Sequence, residues 1–199
     1  MKLNWAERWV VNNPSRIFQQ QVEIRLMKRM MPLAHGATIL EVGCGRGAGA
    51  KLIRKVFQPS QLMILDLDFQ MIQKAKTYLH PAEMEHMSLY VGDAVCLPFK
   101  TNSLDALFGF GFLHHVPDWR RALSEVARVL KMGGHYYIEE LYPALYQNFI
   151  TKRLLLHPAH DRFKSHDLRY ALSKMDLDLK DAFELKNLGI LGVATKLDH

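Results

Sequence analysis

The sequence predicts an α/β protein built on a mostly parallel sheet that an antiparallel hairpin closes. Three observations lead there. The middle of the chain alternates short aliphatic or β-branched runs with helical periodicity, the pattern of βαβ units. The run Leu104 to Phe110 is almost wholly apolar, as a strand buried on both faces must be. Near the end, two strand-like runs flank Gly189.

Composition agrees. The chain has 199 residues, 49% of them hydrophobic, which suits one domain with a real core and excludes intrinsic disorder. No apolar stretch approaches the roughly 20 residues of a membrane span; the longest, Leu104 to Leu113, is broken by Asp105 and two glycines. The N-terminus lacks an apolar segment behind a basic start, so no signal peptide is expected. Cys44 and Cys96 form no CxxC pair and no disulfide framework. A reduced, cytoplasmic protein is the expectation.

In chain order, residues 15–31 read as a helix with Phe18, Val22, Leu26 and Met30 at i+4 spacing. Thr38–Val42 is a strand that runs into glycines, and a helix follows with Leu52, Ile53, Val56 and Phe57 on one face. Gln61–Asp66 is the second strand, before a helix from about Phe69 to Leu79; Met87–Val91 is the third. Leu104–Phe110 is the fourth strand. Trp119–Leu130 is an amphipathic helix stopped by Gly133-Gly134 as a C-cap, and His135–Leu141 is the fifth strand. Residues 142–165 lack a period and contain Pro143 and Pro158, which suggests an inserted loop with a short helix. Ser165–Met175 is helical; Phe183–Leu188 and Ile190–Lys196 form the final hairpin.

The positive charge is concentrated. Residues 1–35 hold six basic against two acidic residues, and so do residues 151–174; the remainder is slightly acidic. Such patches attract anionic partners or simply form solvated helix faces.

Chemistry begins at Glu41-Val42-Gly43-Cys44-Gly45-Arg46-Gly47. Glycines directly after a strand permit a tight turn and close backbone approach to a ligand. Asp66 ends the second strand, where a carboxylate can accept both hydroxyls of a ribose. Asp93 ends the third, where it can take an adenine amino group. Each acid alone could equally cap a turn. Together the three strand ends suit an adenosine-bearing cofactor at the carboxyl edge of a sheet. A dinucleotide would need a third glycine where Ala48 or Ala50 stands, although alanine is sometimes allowed there. Glu41 is more telling: a carboxylate there repels a pyrophosphate but suits a cationic sulfonium cofactor with an amino group.

These residues resemble the class I S-adenosylmethionine (SAM)-dependent methyltransferases, in the branch that includes the ubiquinone and menaquinone biosynthesis type. The likeness runs through Ile39–Gly47, Ile64–Asp68, Gly92-Asp93-Ala94, Leu97-Pro98-Phe99, Leu104–Leu107, Leu113–Asp118 and Ala127–Gly134, about residues 38–141 in all. It implies a doubly wound, Rossmann-like, seven-stranded sheet, mostly parallel with an antiparallel C-terminal strand. It implies one domain over 1–199, with 1–35 a helical lid, 36–141 the cofactor core, 142–176 a cap insertion and helix, and 177–199 the closing hairpin.

The resemblance also implies roles. Gly43, Cys44, Gly45 and Gly47 would hold the methionine part of SAM by backbone groups, with Glu41 nearby. Asp66 would bind the ribose, and Leu67 and Met71 would lie against the adenine. Asp93 and Ala94 would bind the adenine edge; Gly109 and Phe110 would border the methyl donor. Asp68 reads as a helix N-cap instead. Asp66→Ala is expected to weaken SAM binding and leave the fold little changed.

Other constellations say less. His114-His115 suits loop support better than catalysis, and His157, His160 and His166 lack metal-ligand spacing. Cys96 is not in the Pro-Cys context of cytosine methylation. Gly109-Phe110-Gly111-Phe112 replaces the Asn/Asp-Pro-Pro-Tyr/Phe signature of amino-methylation. Methyl transfer is an in-line displacement that positioning can drive, so no residue is required to be catalytic. The expected activity moves a methyl group from SAM to a small-molecule acceptor, anionic or hydrophobic, leaving S-adenosylhomocysteine. One alternative is a quinone or lipid methyltransferase touching a membrane surface through residues 15–31. Another is an RNA-modifying enzyme or a SAM-binding module, although aromatics are not interleaved with the basic residues, so nucleic acid is not expected. No metal is called for, and the oligomeric state cannot be read.

Overall fold

A computed structural model describes residues 13–146, 161–185 and 187–198. Helix α1 (Pro14–Met30) starts where Asn13 accepts the Ser15 N–H at 3.1 Å and Pro14 supplies a helical φ. It is followed by β1 (Thr38–Val42), α2 (Ala48–Phe57), β2 (Gln61–Asp66), α3 (Phe69–Tyr78), the single turn α4 (Pro81–Met84) and β3 (Met87–Val91). Next come β4 (Leu104–Phe110), a 3-10 turn (Leu113–His115), α5 (Trp119–Val129) and β5 (Leu130–Leu141). The chain ends with α6 (Pro143–Tyr146), α7 (Ser165–Lys174), β6 (Leu177–Leu185) and β7 (Gly189–Lys196).

The strands form one sheet in the order β3-β2-β1-β4-β5-β7-β6. The first five pair in parallel, and β7 runs antiparallel to both β5 and β6. Because β1 lies between β2 and β4, chain direction across the sheet reverses there. That switch point leaves a crevice at the carboxyl ends of β1 and β4.

Strand alternation sends side chains into two apolar layers. One face carries Leu40, Leu65, Leu107, Tyr136 and Ile138 against α5 and α7. The other carries Ile39, Ile64, Phe108 and Tyr137 against α1, α2 and α3. Tyr137 stacks on Phe108 with ring centroids 4.2 Å apart, and Phe57 of α2 meets both rings edge-on. The sheet is thus sandwiched between helices, and the polar groups collect at its carboxyl edge.

Three expectations are corrected. The inner face of α1 is not the Phe18, Val22, Leu26, Met30 stripe: Phe18 is 69% exposed and Val22 42%. The buried set is Gln20, Glu23, Ile24 and Met27, also at helical spacing. The first half of α1 covers buried carboxylates, so polar side chains turn inward there and the apolar ones turn out. Gly133-Gly134 does not cap α5 either. The helix ends at Val129 and passes directly into β5, whose pairing with β4 is irregular between Leu130 and His135. A Cβ on Gly134 would meet the Lys131 carbonyl oxygen at 2.8 Å, so the glycine serves this bulge. The run read as a strand from Phe183 begins earlier, at Leu177.

Candidate functional site

β1 delivers Glu41 and then the glycine loop to the switch point. Gly43 and Cys44 both donate backbone N–H groups to the Leu65 carbonyl, at 2.8 and 3.1 Å, which ties the loop to the end of β2. Gly43 has φ +73°, and a Cβ there would lie 2.7 Å from the Cβ of Phe112. Only glycine meets both conditions. The loop then closes through Gly47 N–H to Cys44 O at 2.9 Å and enters α2.

Glu41 is 2% exposed, with its carboxyl group against the start of α2 and accepting the Ala50 N–H. It fits there because Gly49 has no side chain: a Cβ on Gly49 would collide with Oε1 of Glu41 and meet Nε2 of Gln20 at 2.9 Å. Burial, and next the negative charge of Asp66, push the Glu41 carboxyl up to about 8, against the opposing Ala50 hydrogen bond. Its Oε2 atom is buried with no hydrogen-bond partner among the described residues.

Asp66 does two jobs already. One oxygen accepts the Gly45 N–H at 2.9 Å and the other accepts the Asp68 N–H at 2.8 Å. Burial raises this carboxyl, and those two bonds oppose the rise. Each oxygen keeps a further lone pair for a ligand hydroxyl. The expectation that Asp66→Ala leaves the fold little changed is corrected here, since the side chain clamps the glycine loop to the β2 end. Asp68 caps α3 by accepting the Gln70 N–H at 3.0 Å, as its position suggested.

The remaining sequence candidates lie along the same edge. Gly92 N–H donates to Asp66 O at 3.1 Å, joining the β3 end to the β2 end. Asp93 is exposed and accepts the Val95 N–H, while Ala94 is buried. Leu67 is 48% exposed but Met71 is buried. Gly109 meets Gly43 through Phe112, whose ring would lie 2.5 Å from a Gly109 Cβ. Phe110 is half-buried and stacks on Phe108 at 6.0 Å. Cys44 is buried and Cys96 exposed; burial, and then the Glu41 charge, hold the Cys44 thiol well above its usual range. His157 and His160 lie outside the described residues, and His166 is an exposed partner of Asp167 at 2.9 Å. Among the described residues no group of three or more His, Cys, Asp or Glu could hold a metal ion.

Sequence reasoning missed four residues. Gly49 and Phe112 shape the loop by space alone, which no local pattern records. The other two are the adjacent acids of β5, and a Glu139-Glu140 pair inside an apolar strand was a visible signal. On the α1 face, Arg16 pairs with Glu23 at 2.9 Å and with Glu139 at 2.5 Å. Burial lifts Glu139 to about 7 although Arg16 opposes it. On the opposite face, Glu140 is fully buried and accepts N–H groups from Leu113 at 2.7 Å and His114 at 3.3 Å, and the His114 Nδ1–H at 2.7 Å. Beyond it, a cavity of about 500 Å³ opens between Tyr142, Lys164, Ser165 and Glu184.

A doubly wound sheet with a glycine loop, a buried acid and a strand-end acid at its switch point defines a nucleoside-cofactor α/β domain. Residues 40–138 match the family model described as a methyltransferase domain. The chain is 35% identical over 108 residues to a fatty-acid O-methyltransferase of Mycolicibacterium smegmatis, covering 54% of this chain and 38% of that protein. It is 36% identical over 126 residues to a demethylmenaquinone methyltransferase of Staphylococcus aureus, covering 62% and 51% respectively. The chain therefore spans about half or less of the length of these curated relatives. In fold it matches a SAM-dependent methyltransferase of Aquifex aeolicus with TM-score 0.78 and 16% identity, over 98% of this chain and 100% of that one. The chain belongs to the class I SAM-dependent methyltransferases.

Proposed function

We propose that this chain transfers a methyl group from SAM to a small-molecule acceptor by in-line displacement driven mainly by positioning. One observation carries the reading: the buried Glu41 Oε2 beside the glycine loop has no hydrogen-bond partner among the described residues. A buried acidic oxygen short of a donor suits the ammonium group of the methionine moiety. In this reading Gly43, Cys44, Gly45 and Gly47 hold the rest of that moiety through backbone groups. Asp66 accepts the ribose hydroxyls, and Leu67, Met71, Asp93 and Ala94 surround the adenine. Gly109 and Phe110 border the methyl group that SAM supplies. Calorimetry with SAM and S-adenosylhomocysteine tests the reading, with binding of both expected; no binding of either at millimolar concentration overturns it.

A second reading places the acceptor at a lipid surface. Phe18 and Val22 are exposed on α1, and Arg25, Lys28 and Arg29 are exposed on the same helix. That combination favours anionic lipid, and the similar proteins include ones named for fatty-acid and demethylmenaquinone methylation. No described helix is long and apolar enough to cross a membrane; in this reading the protein is cytoplasmic and meets the membrane at its surface. Flotation with liposomes of neutral and of anionic lipid separates the two: co-flotation with anionic vesicles alone supports surface contact, and none with either leaves α1 as a lid over residues 36–141.

A further inference from the structure

We propose that the first half of α1 is a flap that the cofactor itself docks: Gln20, on its inner face, donates to the carboxylate of the methionine moiety while Glu41 takes the ammonium group. This assignment rests on the methyltransferase reading above and adds a side chain to it.

The glycine loop leaves that carboxylate short of donors. Gly43 and Cys44 already give their N–H groups to the Leu65 carbonyl, Gly45 gives its own to Asp66, and Gly47 to the Cys44 carbonyl. These groups hold the shape of the loop, so they can approach the methionine moiety but have no proton left for it. An amino-acid moiety whose ammonium group sits at Glu41 carries its carboxylate one carbon away, and a buried carboxylate needs donors. Gln20 stands at that place. Its Nε2 and the Glu41 carboxyl group share the space over Gly49, where an added Cβ would meet Nε2 at 2.9 Å and collide with Oε1 of Glu41. Gln20 is buried, and its amide offers two N–H donors.

The helix that carries Gln20 is held in two different ways. Ile24 and Met27 are fully buried, Lys28 Nζ donates to the Val56 carbonyl at 2.5 Å, and the Tyr137 hydroxyl donates to the Met31 carbonyl at 2.7 Å. Apolar burial and those bonds hold the second half without any ligand. Before Ile24 the inward stripe is polar: Arg16, Gln20 and Glu23, at i, i+4 and i+7. Arg16 pairs with Glu23 and with Glu139 across to β5. Such part-buried ion pairs return little net stability once their desolvation is counted. The first half can therefore lift from the sheet edge, hinging near Ile24, and a ligand that gives Gln20 a partner shifts it to the docked position.

Docking closes both ends of the crevice. Gln20 covers the methionine end, and Arg16 covers the end of β4, because its partner Glu139 lies against Gly111: Oε2 of Glu139 would be 3.7 Å from a Cβ there. Loss of S-adenosylhomocysteine then frees Gln20 and reopens both.

Calorimetry should compare S-adenosylhomocysteine with its decarboxylated analogue, which keeps the ammonium group and lacks the carboxylate. Gln20→Met, similar in size and without a donor, should bind S-adenosylhomocysteine roughly 10- to 150-fold more weakly. The same variant should bind the analogue within about threefold of wild type. A residue that merely supports the fold would weaken both alike, so an equal loss overturns the proposal, as does an unchanged affinity for S-adenosylhomocysteine. Hydrogen exchange reads the flap. Without ligand, the amides of residues 18–23 should exchange at least about tenfold faster than those of 24–30. Saturating S-adenosylhomocysteine should slow them in the wild type and not in Gln20→Met, and Arg16→Met should speed them further while leaving 24–30 unchanged. Uniform exchange along α1, or no response of residues 18–23 to ligand in the wild type, overturns the proposal. The failures are distinguishable: if the wild type binds neither compound the methyltransferase reading itself falls, and if it binds S-adenosylhomocysteine only this proposal does.

Discussion

Glu41 at the end of β1 and Glu140 at the end of β5 are both buried carboxyl groups on the same edge of one sheet, yet their surroundings are opposite. Glu140 has three N–H donors. Glu41 has the Ala50 N–H and a neighbouring negative charge, and one oxygen has no hydrogen-bond partner among the described residues. A saturated buried acid holds its neighbours in place, whereas an undersupplied one is destabilised until something cationic arrives. In the proposed reading the first is a fastener and the second a receptor, and substitutions at the two positions should separate those roles.

The largest effect is expected at Glu140. Glu140→Ala strands three buried donors and should lower stability by about 3 kcal/mol or more, read as a denaturant midpoint. If the midpoint barely moves, the carboxylate is not a fastener. Glu41→Gln should do the reverse in the absence of ligand. An acid whose folded pKa, here about 8, lies above its unfolded value holds a proton that the unfolded chain has lost. Stability is then full below about pH 4.5 and declines as pH rises through about 8. Melting curves should show that decline in the wild type and a flatter profile in Glu41→Gln. The same variant should bind SAM roughly 10- to 150-fold more weakly, the equivalent of about 1.5–3 kcal/mol for a charge-assisted bond. Equal SAM affinity in the variant would remove Glu41 from the receptor role.

Asp66 stands between the two types, with two donors and lone pairs to spare. Asp66→Ala should weaken SAM binding by a similar roughly 10- to 150-fold and also lower stability by about 1–2 kcal/mol through the freed Gly45 and Asp68 N–H groups. Asp68→Ala should cost about 1 kcal/mol as a lost N-cap and leave affinity nearly intact. Affinity lost at Asp68 but kept at Asp66 would shift the ribose contact by two residues. The smallest effect belongs to the outer face of α1. Phe18→Ser and Val22→Ser should each change the denaturant midpoint by no more than about 0.5 kcal/mol, and a larger loss would mean that this face is covered.

Most of the fold could be read because each strand of the core is short, apolar and followed by a turn or helix signal. β1, β2, β3 and β4 start and end where periodicity put them. The glycine loop and its acids were legible for a related reason: a backbone turn that needs Gly43, and strand ends that present Asp66 and Asp93, are local properties. The α1 face was misread because Phe18, Val22, Leu26 and Met30 and the buried Gln20, Glu23, Ile24 and Met27 are both helical stripes. Periodicity cannot choose between them; the carboxylates beneath the helix do.

The amino-acid order alone determined the alternation of strands and helices, the position of the glycine loop, and which acids reach the carboxyl edge, since all of these depend on residues within a few positions of each other. Tertiary structure decided what each acid experiences. Glu41 meets Gly49 and Gln20, Glu140 meets His114 from 26 residues away, and Glu139 meets Arg16 from 123 residues away. Charge, burial and donor supply are properties of that three-dimensional neighbourhood, and they divide three chemically identical side chains into an undersupplied acid, a fastener and an ion-pair partner.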